Sequence, residues 1–327
     1  MALGITAALT GNAIASADPE KFVDFVAFFG GVAGYFLIAE RYPLRVRDIL
    51  TFVGIALGAG ILIHVVGAPG VQGEFDLIPF VGENWRVIIR SPHFTGRSGL
   101  FLLFASLLFS REKGWRLWYV VLLGLSLYLI VFSGSRSSVA AALAILGLWY
   151  LKPVQQLVMR SWVVGALIPI LAGLTMYLAP VLVFQSLTAE GFLGTLLQIS
   201  PQQEDVTSGR LLTWLYHLDL FMNNFWTGAP VSAVVETGEN IPLELRGSNE
   251  SFFTKVLATQ GVFGFLFYSL FLYLSVFSLK KKVYTSYILS VVFVVVTSSA
   301  GIYGSTYSLY SILGYWLYFS LISRSNK

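Results

Sequence analysis

Two long apolar runs flank a short serine-rich turn in residues 117–151, LWYVVLLGLSLYLIVF (117–132), SGSRSS (133–138) and VAAALAILGLWYL (139–151). The charged residue of this stretch is Arg136, in the middle of the turn. A helix needs about 20 apolar residues to cross a bilayer, and both runs approach that length. The stretch therefore predicts two membrane-spanning helices joined by a tight polar turn.

The whole chain has the same apolar character. Of its 327 residues, 56 % are hydrophobic and 12 % are charged, whereas an average soluble domain has about 25 % charged residues. The mean hydropathy is +0.74. A water-soluble fold leaves too much surface wet to hide so many apolar side chains, which argues against a soluble enzyme. We predict an all-α polytopic membrane protein with a single transmembrane helical domain over residues 1–327.

About ten apolar segments qualify as spans when about 20 residues are allowed for each crossing. The first is short and rich in Ala and Gly, and we interpret it as a marginal span or as the remnant of a longer N-terminus. The predicted spans lie near residues 2–17, 22–39, 49–67, 97–110, 117–133, 137–151, 162–184, 251–279, 283–303 and 306–322.

Basic residues indicate which ends of the spans face the cytoplasm. Of the 21 Lys and Arg residues, 13 follow even-numbered spans, and the positive-inside rule places such clusters on the cytoplasmic side. The formal charge of +4 therefore reflects orientation, and nucleic acid is not predicted as a partner. Two sizeable loops, residues 68–96 and 185–250, are then predicted on the outer side. The second contains an amphipathic helix that begins near Arg210.

Arg136 is the first candidate for chemistry on the outer side. A charge at this depth is costly unless it meets a partner or water. The surrounding serines, Ser135 and Ser137 among them, and a glycine provide donors and backbone freedom that suit a phosphate-sized anion. The alternative is an arginine that reaches up to the membrane surface as an anchor.

Arg210 and His217 belong to the predicted loop helix. Arg210 stands at its start, where amide groups and a guanidinium facing the same way would bind an anion; the alternative is an exposed arginine paired with Glu204 or Asp205. His217 lies two turns later on the same face. It is either a general base or an ordinary histidine of an amphipathic helix.

The segment from Arg86 to Arg97 leads into the fourth span and carries Arg90, His93 and Arg97. It is either a rim that attracts anions or the basic edge of a lipid-facing loop. The three histidines of the chain are too dispersed for a metal-ligand pattern, and there is no phosphate-binding glycine motif or HExxH. No metal and no cofactor are predicted.

The last candidate segment runs from Gly247 to Gly264. Asn249 and Glu250 lie at the outer mouth of a span that contains a Gly-x-x-Gly step, which favours close helix packing. Glu250 is a candidate general base. The alternative is an acid that the helix dipole favours in a first turn.

These patterns together resemble the O-antigen polymerase and O-antigen ligase family of bacterial inner-membrane glycosyltransferases. The resemblance covers roughly residues 90–280 and depends on the order, spacing and sidedness of short motifs. They are the serine-rich turn with Arg136, the Gly209-Arg210-x-x-x-Trp214 pattern followed by Asn224-Phe-Trp-Thr-Gly228, and the segment from Glu250 to Gly264. His93-Phe-Thr-Gly96 resembles a fourth pattern weakly.

The chain departs from the ligase pattern at one place. Ligases of this family carry a His-Asn pair at the mouth of the span after the large loop, where this chain has Glu250 and Ser251, or Ser248 and Asn249 with a gap. Because neither register contains histidine, the resemblance favours a polymerase. The alternative within the family is a ligase that transfers the glycan to a lipid or other acceptor. A transporter or flippase of a lipid-linked or anionic solute is the alternative from another class.

The resemblance implies a metal-independent glycosyl transfer at the periplasmic or exterior face of the bacterial inner membrane. One undecaprenyl-diphosphate-linked glycan is the donor and another is the acceptor, in the lipid bilayer, and chain-length regulator and flippase proteins are implied partners. The implied catalytic residues are Glu250, Arg210, Arg136 and His217, with Glu250 the first and His217 the second candidate base. The implied diphosphate-binding residues are Arg136, Arg210, Ser135, Ser137, Arg90, Arg97, His93 and Asn249.

Overall fold

The computed structural model describes residues 11–12, 18–66, 74–76, 88–90, 92–113, 117–182, 210–233, 252–299 and 309–325. These residues are mostly helical. The elements in chain order are α1 (Pro19–Arg41), α2 (Val46–Val66), β1 (Glu74–Asp76), β2 (Ile88–Arg90), α3 (Pro92–Lys113), α4 (Leu117–Phe132), α5 (Arg136–Tyr150), α6 (Lys152–Arg160), α7 (Trp162–Leu182), α8 (Arg210–Asn223), a 3-10 turn (Val231–Ala233), α9 (Phe252–Gln260), a 3-10 turn (Gly261–Gly264), α10 (Phe265–Lys280), α11 (Tyr284–Ser299) and α12 (Leu309–Ser325).

The predicted spans from the second to the tenth each coincide with helical structure, and their bounds differ by only a few residues. The eighth predicted span, residues 251–279, is divided into α9 and α10 by the 3-10 turn Gly261–Gly264. The first predicted span, residues 2–17, lies almost wholly outside the described residues. Apolar run length was therefore a good guide to helix position.

Two helical segments in the described part of the chain are long and apolar enough to cross a membrane by themselves, Lys21–Arg41 and Phe253–Lys280. Ser137–Tyr150 and Lys152–Arg160 meet the same criterion only as a pair. The fold prediction is confirmed at this level, a mostly helical chain with at least two candidate membrane spans. The number of ten spans stays a prediction.

The described residues form two compact units, and the smaller one contains α2 to α5 with the β1–β2 hairpin. The strands are antiparallel, with Phe75 opposite Ile89. The Ile89 amide donates to Thr95 Oγ1 at 2.8 Å, which fixes β2 to the first turn of α3. Helix α3 lies close to α4, because a Cβ on Gly99 would come within 2.9 Å of the Ser126 carbonyl oxygen.

The larger unit contains α1 and α6 to α12. Its apolar helices are joined by hydrogen bonds between buried polar groups, a form of contact that is common inside membranes. Ser275 Oγ on α10 lies 2.8 Å from Ser290 Oγ on α11, and Ser278 Oγ donates to Tyr318 Oη on α12 at 2.8 Å. The Tyr287 hydroxyl on α11 donates to the Gly165 carbonyl of α7 at 3.0 Å. These bonds define which helices are neighbours in this unit.

Candidate functional site

The serine turn, Ser133–Ser138, connects α4 to α5 in the smaller unit. Gly134 has a φ of +70°, a left-handed conformation that glycine adopts without steric cost. Ser135 is extended and forms the N-cap of α5, which begins at Arg136. Three residues, 133–135, therefore separate α4 from α5, as the polar turn between two apolar runs predicted.

Hydroxyl groups hold the serine turn together. Ser133 Oγ donates to the Ile130 carbonyl at 2.8 Å and accepts the Ser135 amide at 3.1 Å. Ser138 Oγ donates to Ser135 Oγ at 2.9 Å, and the hydroxyls of Ser135 and Ser137 are 3.2 Å apart. All four serines are buried, so Ser135 and Ser137 form part of a closed polar network.

The beginning of α3 packs on this turn. His93 Nδ1 lies 3.2 Å from Ser135 Oγ. A Cβ on Gly96 would overlap with Ser138 Oγ and come within 2.9 Å of Ser133 Oγ. The structure therefore brings His93 together with the serine turn, although 42 residues separate His93 from Ser135.

The arginines around the serine turn are described to different extents. Arg97 is partly buried and lies one helical turn after His93, on the same face of α3. Arg136 is the first residue of α5 and Arg90 the last residue of β2, but their side chains lie outside the described part of the chain.

A second polar group lies in the larger unit, where α8 packs on α9. His217 Nδ1 on α8 is 2.9 Å from Thr254 Oγ1 on α9, and Lys255 follows Thr254 directly. His217 is 2 % exposed and Lys255 is 5 % exposed. Burial, together with the nearby Lys255 ammonium, lowers the pKa of His217 to about 4, so the imidazole is neutral at pH 7.

Helix α8 begins at Arg210, as the sequence predicted, and contains His217 seven residues later. The Arg210 side chain lies outside the described residues, and so do Asn249 and Glu250. Sequence reasoning did not identify Thr254 as the partner of His217. The signal available was weak, a hydroxyl residue in the first turn of a span.

Two glycines form the contact between the turn after α8 and the end of α9. Gly228 and Gly261 have φ values of +73° and +57°. A Cβ on Gly261 would come within 2.6 Å of both the Gly228 amide and the Phe225 carbonyl. The Ala229 amide donates to the Ala258 carbonyl at 2.7 Å, and the Val262 amide donates to the Phe225 carbonyl at 2.8 Å. Gly261 thus lets the loop turn approach α9, a role different from the helix packing predicted for it.

Residues near the start of the described chain hold the same turn in place. Lys21 is 1 % exposed, and its Nζ donates to the carbonyls of Thr227 and Gly228 at 2.8 and 3.2 Å. Asp18 Oδ2 accepts the Val231 amide at 2.9 Å. Asn12 Nδ2 donates to Gln260 Oε1 at 3.1 Å. The sequence feature that could have identified Lys21 is its position at the edge of an apolar run, where a cation needs partners. Asn12 and Asp18 have no such feature in the sequence.

The described side chains include no group of three or more histidines and acids close enough to hold a metal ion. The two polar groups offer hydroxyls, imidazoles and cations, which can bind an anionic or hydroxylated substrate.

Residues 119–269 match the family model described as "O-Antigen ligase". No curated protein and no solved structure matches the chain. The matched residues run from α4, through the serine turn and α8, to the beginning of α10.

Proposed function

Because residues 119–269 match the family model described as "O-Antigen ligase", we propose that this chain is a member of the O-antigen ligase/polymerase family and that it is a polymerase that joins undecaprenyl-diphosphate-linked glycans into longer polysaccharide. The family indicates a glycosyltransferase of a bacterial membrane with lipid-linked glycan substrates. The observation that carries the proposal is the extent of the match, which includes Arg136 in the serine turn and both Arg210 and His217 on α8.

The proposed reaction is a direct displacement. The hydroxyl oxygen of one glycan bonds to the anomeric carbon of the other, the bond from that carbon to the diphosphate oxygen breaks, and undecaprenyl diphosphate leaves. Arg136 and Arg210 neutralise the charge that develops on the diphosphate, through permanently charged forked donors. Ser135, Ser137, Arg90, Arg97, His93 and Asn249 are proposed as further diphosphate-binding residues.

The proton of the attacking hydroxyl goes to a general base, for which the carboxylate of Glu250 is the first candidate. His217 is the second candidate, because burial keeps its imidazole neutral at pH 7 and so able to accept a proton. However, a base is most effective when its pKa lies near the working pH. A pKa of about 4 makes His217 a weaker base than an ordinary histidine, and the order of the two candidates follows from the position of Glu250 at the mouth of the span.

The proposal includes an arrangement in the membrane. In this arrangement ten spans form one helical domain in the inner membrane, which covers residues 1–327. Residues 68–96 and 185–250 are its outer loops. The cations that follow even-numbered spans support this orientation. A chain-length regulator and a flippase are its proposed protein partners.

The family description favours a second candidate, a ligase that transfers the glycan to a lipid or other acceptor. One assay distinguishes the two. Purified protein is incubated with lipid-linked repeat units, without nucleotide or added metal. A polymerase gives a ladder of longer glycans still linked to undecaprenyl diphosphate. A product only on an added lipid acceptor supports the ligase, and no transfer to either acceptor contradicts both.

The same assay tests the general base. Glu250→Gln keeps the shape of the side chain but cannot take a proton, and general-base catalysis contributes about 10²–10⁴-fold in rate. We expect Glu250→Gln to remove most polymer growth while the donor still binds, and His217→Gln to be much milder. Normal ladders from Glu250→Gln and none from His217→Gln would reverse the assignment.

A further inference from the structure

Helix α6 is a nine-residue helix, Lys-Pro-Val-Gln-Gln-Leu-Val-Met-Arg, where the sequence predicted only a basic connection between two spans. At about 1.5 Å per residue it is far too short to cross a bilayer of about 30 Å by itself. Its polar and apolar residues fall on different sides, which is the pattern of a helix at a boundary between water and an apolar phase.

One side of α6 packs on its own unit. Val158 is fully buried, and its Cγ1 is 3.6 Å from the position of a Cβ on Gly165 of α7. Ser161 connects the two helices: its amide donates to the Leu157 carbonyl at 3.0 Å, and its carbonyl accepts the Gly165 amide at 3.0 Å. Helix α6 is therefore held firmly against the beginning of α7.

The other sides of α6 are exposed and chemically distinct. Lys152, Gln156 and Arg160 recur at every fourth position, so they form one polar face, and all three are exposed. Leu157, beside this face, is 53 % exposed. Water does not favour a leucine presented in this way, but a lipid acyl region does.

Helix α7 continues the apolar surface from this end. Val163, Leu167, Leu171 and Leu174 are exposed and recur at helical spacing along one face. Trp162, at the beginning of the helix, is 62 % exposed, and tryptophan is enriched where a span leaves the membrane. Helix α6 thus lies at the level where a lipid-facing helix ends.

Further cations lie at the same end of this unit. A Cβ on Gly165 would overlap with Leu279 of α10, so the end of α10 lies beside the contact between α6 and α7. Lys280, Lys281 and Lys282 follow Leu279 and are exposed. Together with Lys152 and Arg160 they form what we call the basic end, a set of five exposed cations.

We propose that α6 lies along the membrane surface, with Leu157 among the acyl chains, and that the basic end binds the headgroups of anionic phospholipids. A cation near an anionic bilayer is attracted to it, and several cations together give selectivity for anionic over zwitterionic lipid. The lipid-binding site is independent of glycan transfer, because none of its residues belongs to the proposed catalytic set.

The depth of α6 can be measured directly, because the chain contains no cysteine and each introduced cysteine carries a single spin label. Gln156→Cys and Leu157→Cys are labelled in the full chain, in nanodiscs of phosphatidylcholine and phosphatidylglycerol. For each label, the collision rate with oxygen is divided by the collision rate with a water-soluble nickel complex. We expect this oxygen-to-nickel ratio to be several-fold higher at position 157 than at position 156. Leu167→Cys on α7 provides the lipid reference.

Equal accessibility at positions 156 and 157 overturns the proposed depth. If both labels resemble Leu167→Cys, α6 is part of a membrane span, and if both collide mainly with nickel, α6 stands in water.

Headgroup binding is tested with spin-labelled phosphatidylglycerol and phosphatidylcholine. We expect the native chain to immobilise phosphatidylglycerol preferentially, and we expect added salt to weaken this preference. The double variant Lys152→Gln/Arg160→Gln should lose a large part of the preference, whereas Lys152→Arg/Arg160→Lys, which keeps both charges, should retain it. No preference in the native chain, or an unchanged preference in the glutamine variant, overturns lipid binding by the basic end.

Discussion

His217 shows how a single buried residue makes the stability of this protein depend on pH. Its imidazole is enclosed between α8 and α9, bonded to Thr254 and close to the Lys255 ammonium. Both burial and the neighbouring cation oppose protonation. The unfolded chain therefore binds a proton near pH 6.5 that the folded protein takes up only near pH 4.

Stability should consequently fall as the pH drops from about 6.5 towards 4, because the unfolded state binds more protons in this window. Above pH 6.5 His217 is neutral in both states and has no effect. The difference in pKa corresponds to about 3 kcal/mol at the lower end of the window. We expect the melting temperature of His217→Gln in detergent to depend less on pH between 7 and 5 than that of the parent. Identical pH dependence in the two proteins would contradict this.

Arg136 and Arg210 begin the helices α5 and α8, and the proposed chemistry depends on their guanidinium groups. Lysine keeps the charge but not the planar fork that binds a diphosphate through two parallel bonds. We expect Arg136→Lys and Arg210→Lys each to lower turnover in the ladder assay by about 10-fold or more, with normal protein levels in the membrane.

Arg324→Lys, at the exposed end of α12, is the matched control for the two arginine substitutions, and its activity should be that of the parent. Full activity in both Arg136→Lys and Arg210→Lys would show that neither fork stabilises the leaving group.

At the scale of elements, helices α3, α4 and α5 depend on glycines that let backbones approach closely. Gly96 faces the hydroxyls of Ser133 and Ser138, and Gly99 faces the backbone of α4. In contrast, Gly124 lies within α4, and a Cβ there would meet no atom within 4 Å. Substitution by alanine should therefore lower the stability of the protein at the first kind of glycine and raise it at the second.

Gly96→Ala should destabilise the protein by about 1–3 kcal/mol, the usual cost of forcing extra atoms into a packed contact. Gly124→Ala should stabilise it slightly, by about 0.5–1 kcal/mol, because alanine favours a helix over glycine. Melting temperatures in detergent measure both effects. A Gly96→Ala variant as stable as Gly124→Ala would mean that α3 does not pack on the serine turn this closely.

At the scale of the whole molecule, the proposed function depends on which side of the membrane carries residues 185–250. Exposure of that loop to the periplasm is required for access to glycans on the outer leaflet. The distribution of cations along the chain predicts this orientation, and accessibility of introduced cysteines tests it.

A cysteine at Val235 should react with a membrane-impermeant thiol reagent in intact cells whose outer membrane is permeable. A cysteine at Lys281, on the predicted cytoplasmic side, should react only after the inner membrane is opened. The reverse labelling pattern would show that the topology is inverted and that the loop lacks the proposed access to outer-leaflet substrates.

Local patterns predicted the elements of this protein well. The bounds of α4 and α5 follow the two apolar runs around the serine turn, and α8 begins at Arg210 as the spacing of its apolar residues indicated. Helix α6 was missed because nine residues with a single buried side chain resemble a charged connection. Run length and turn residues are enough for the long apolar helices, because the backbone of a span must satisfy its own hydrogen bonds; strands β1 and β2 were not predicted.

The sequence by itself determined the helical class, the positions of most helices, the polar turn around Arg136 and the start of a helix at Arg210. Tertiary structure alone decided which residues meet: His93 with Ser135, His217 with Thr254, Gly228 with Gly261, and Lys21 with the carbonyls after α8. The physical reason is the distance along the sequence over which each kind of interaction acts. Helix formation depends on neighbours within a turn or two, whereas these contacts join residues from 33 to 207 positions apart, and only the packing of helices brings such residues together.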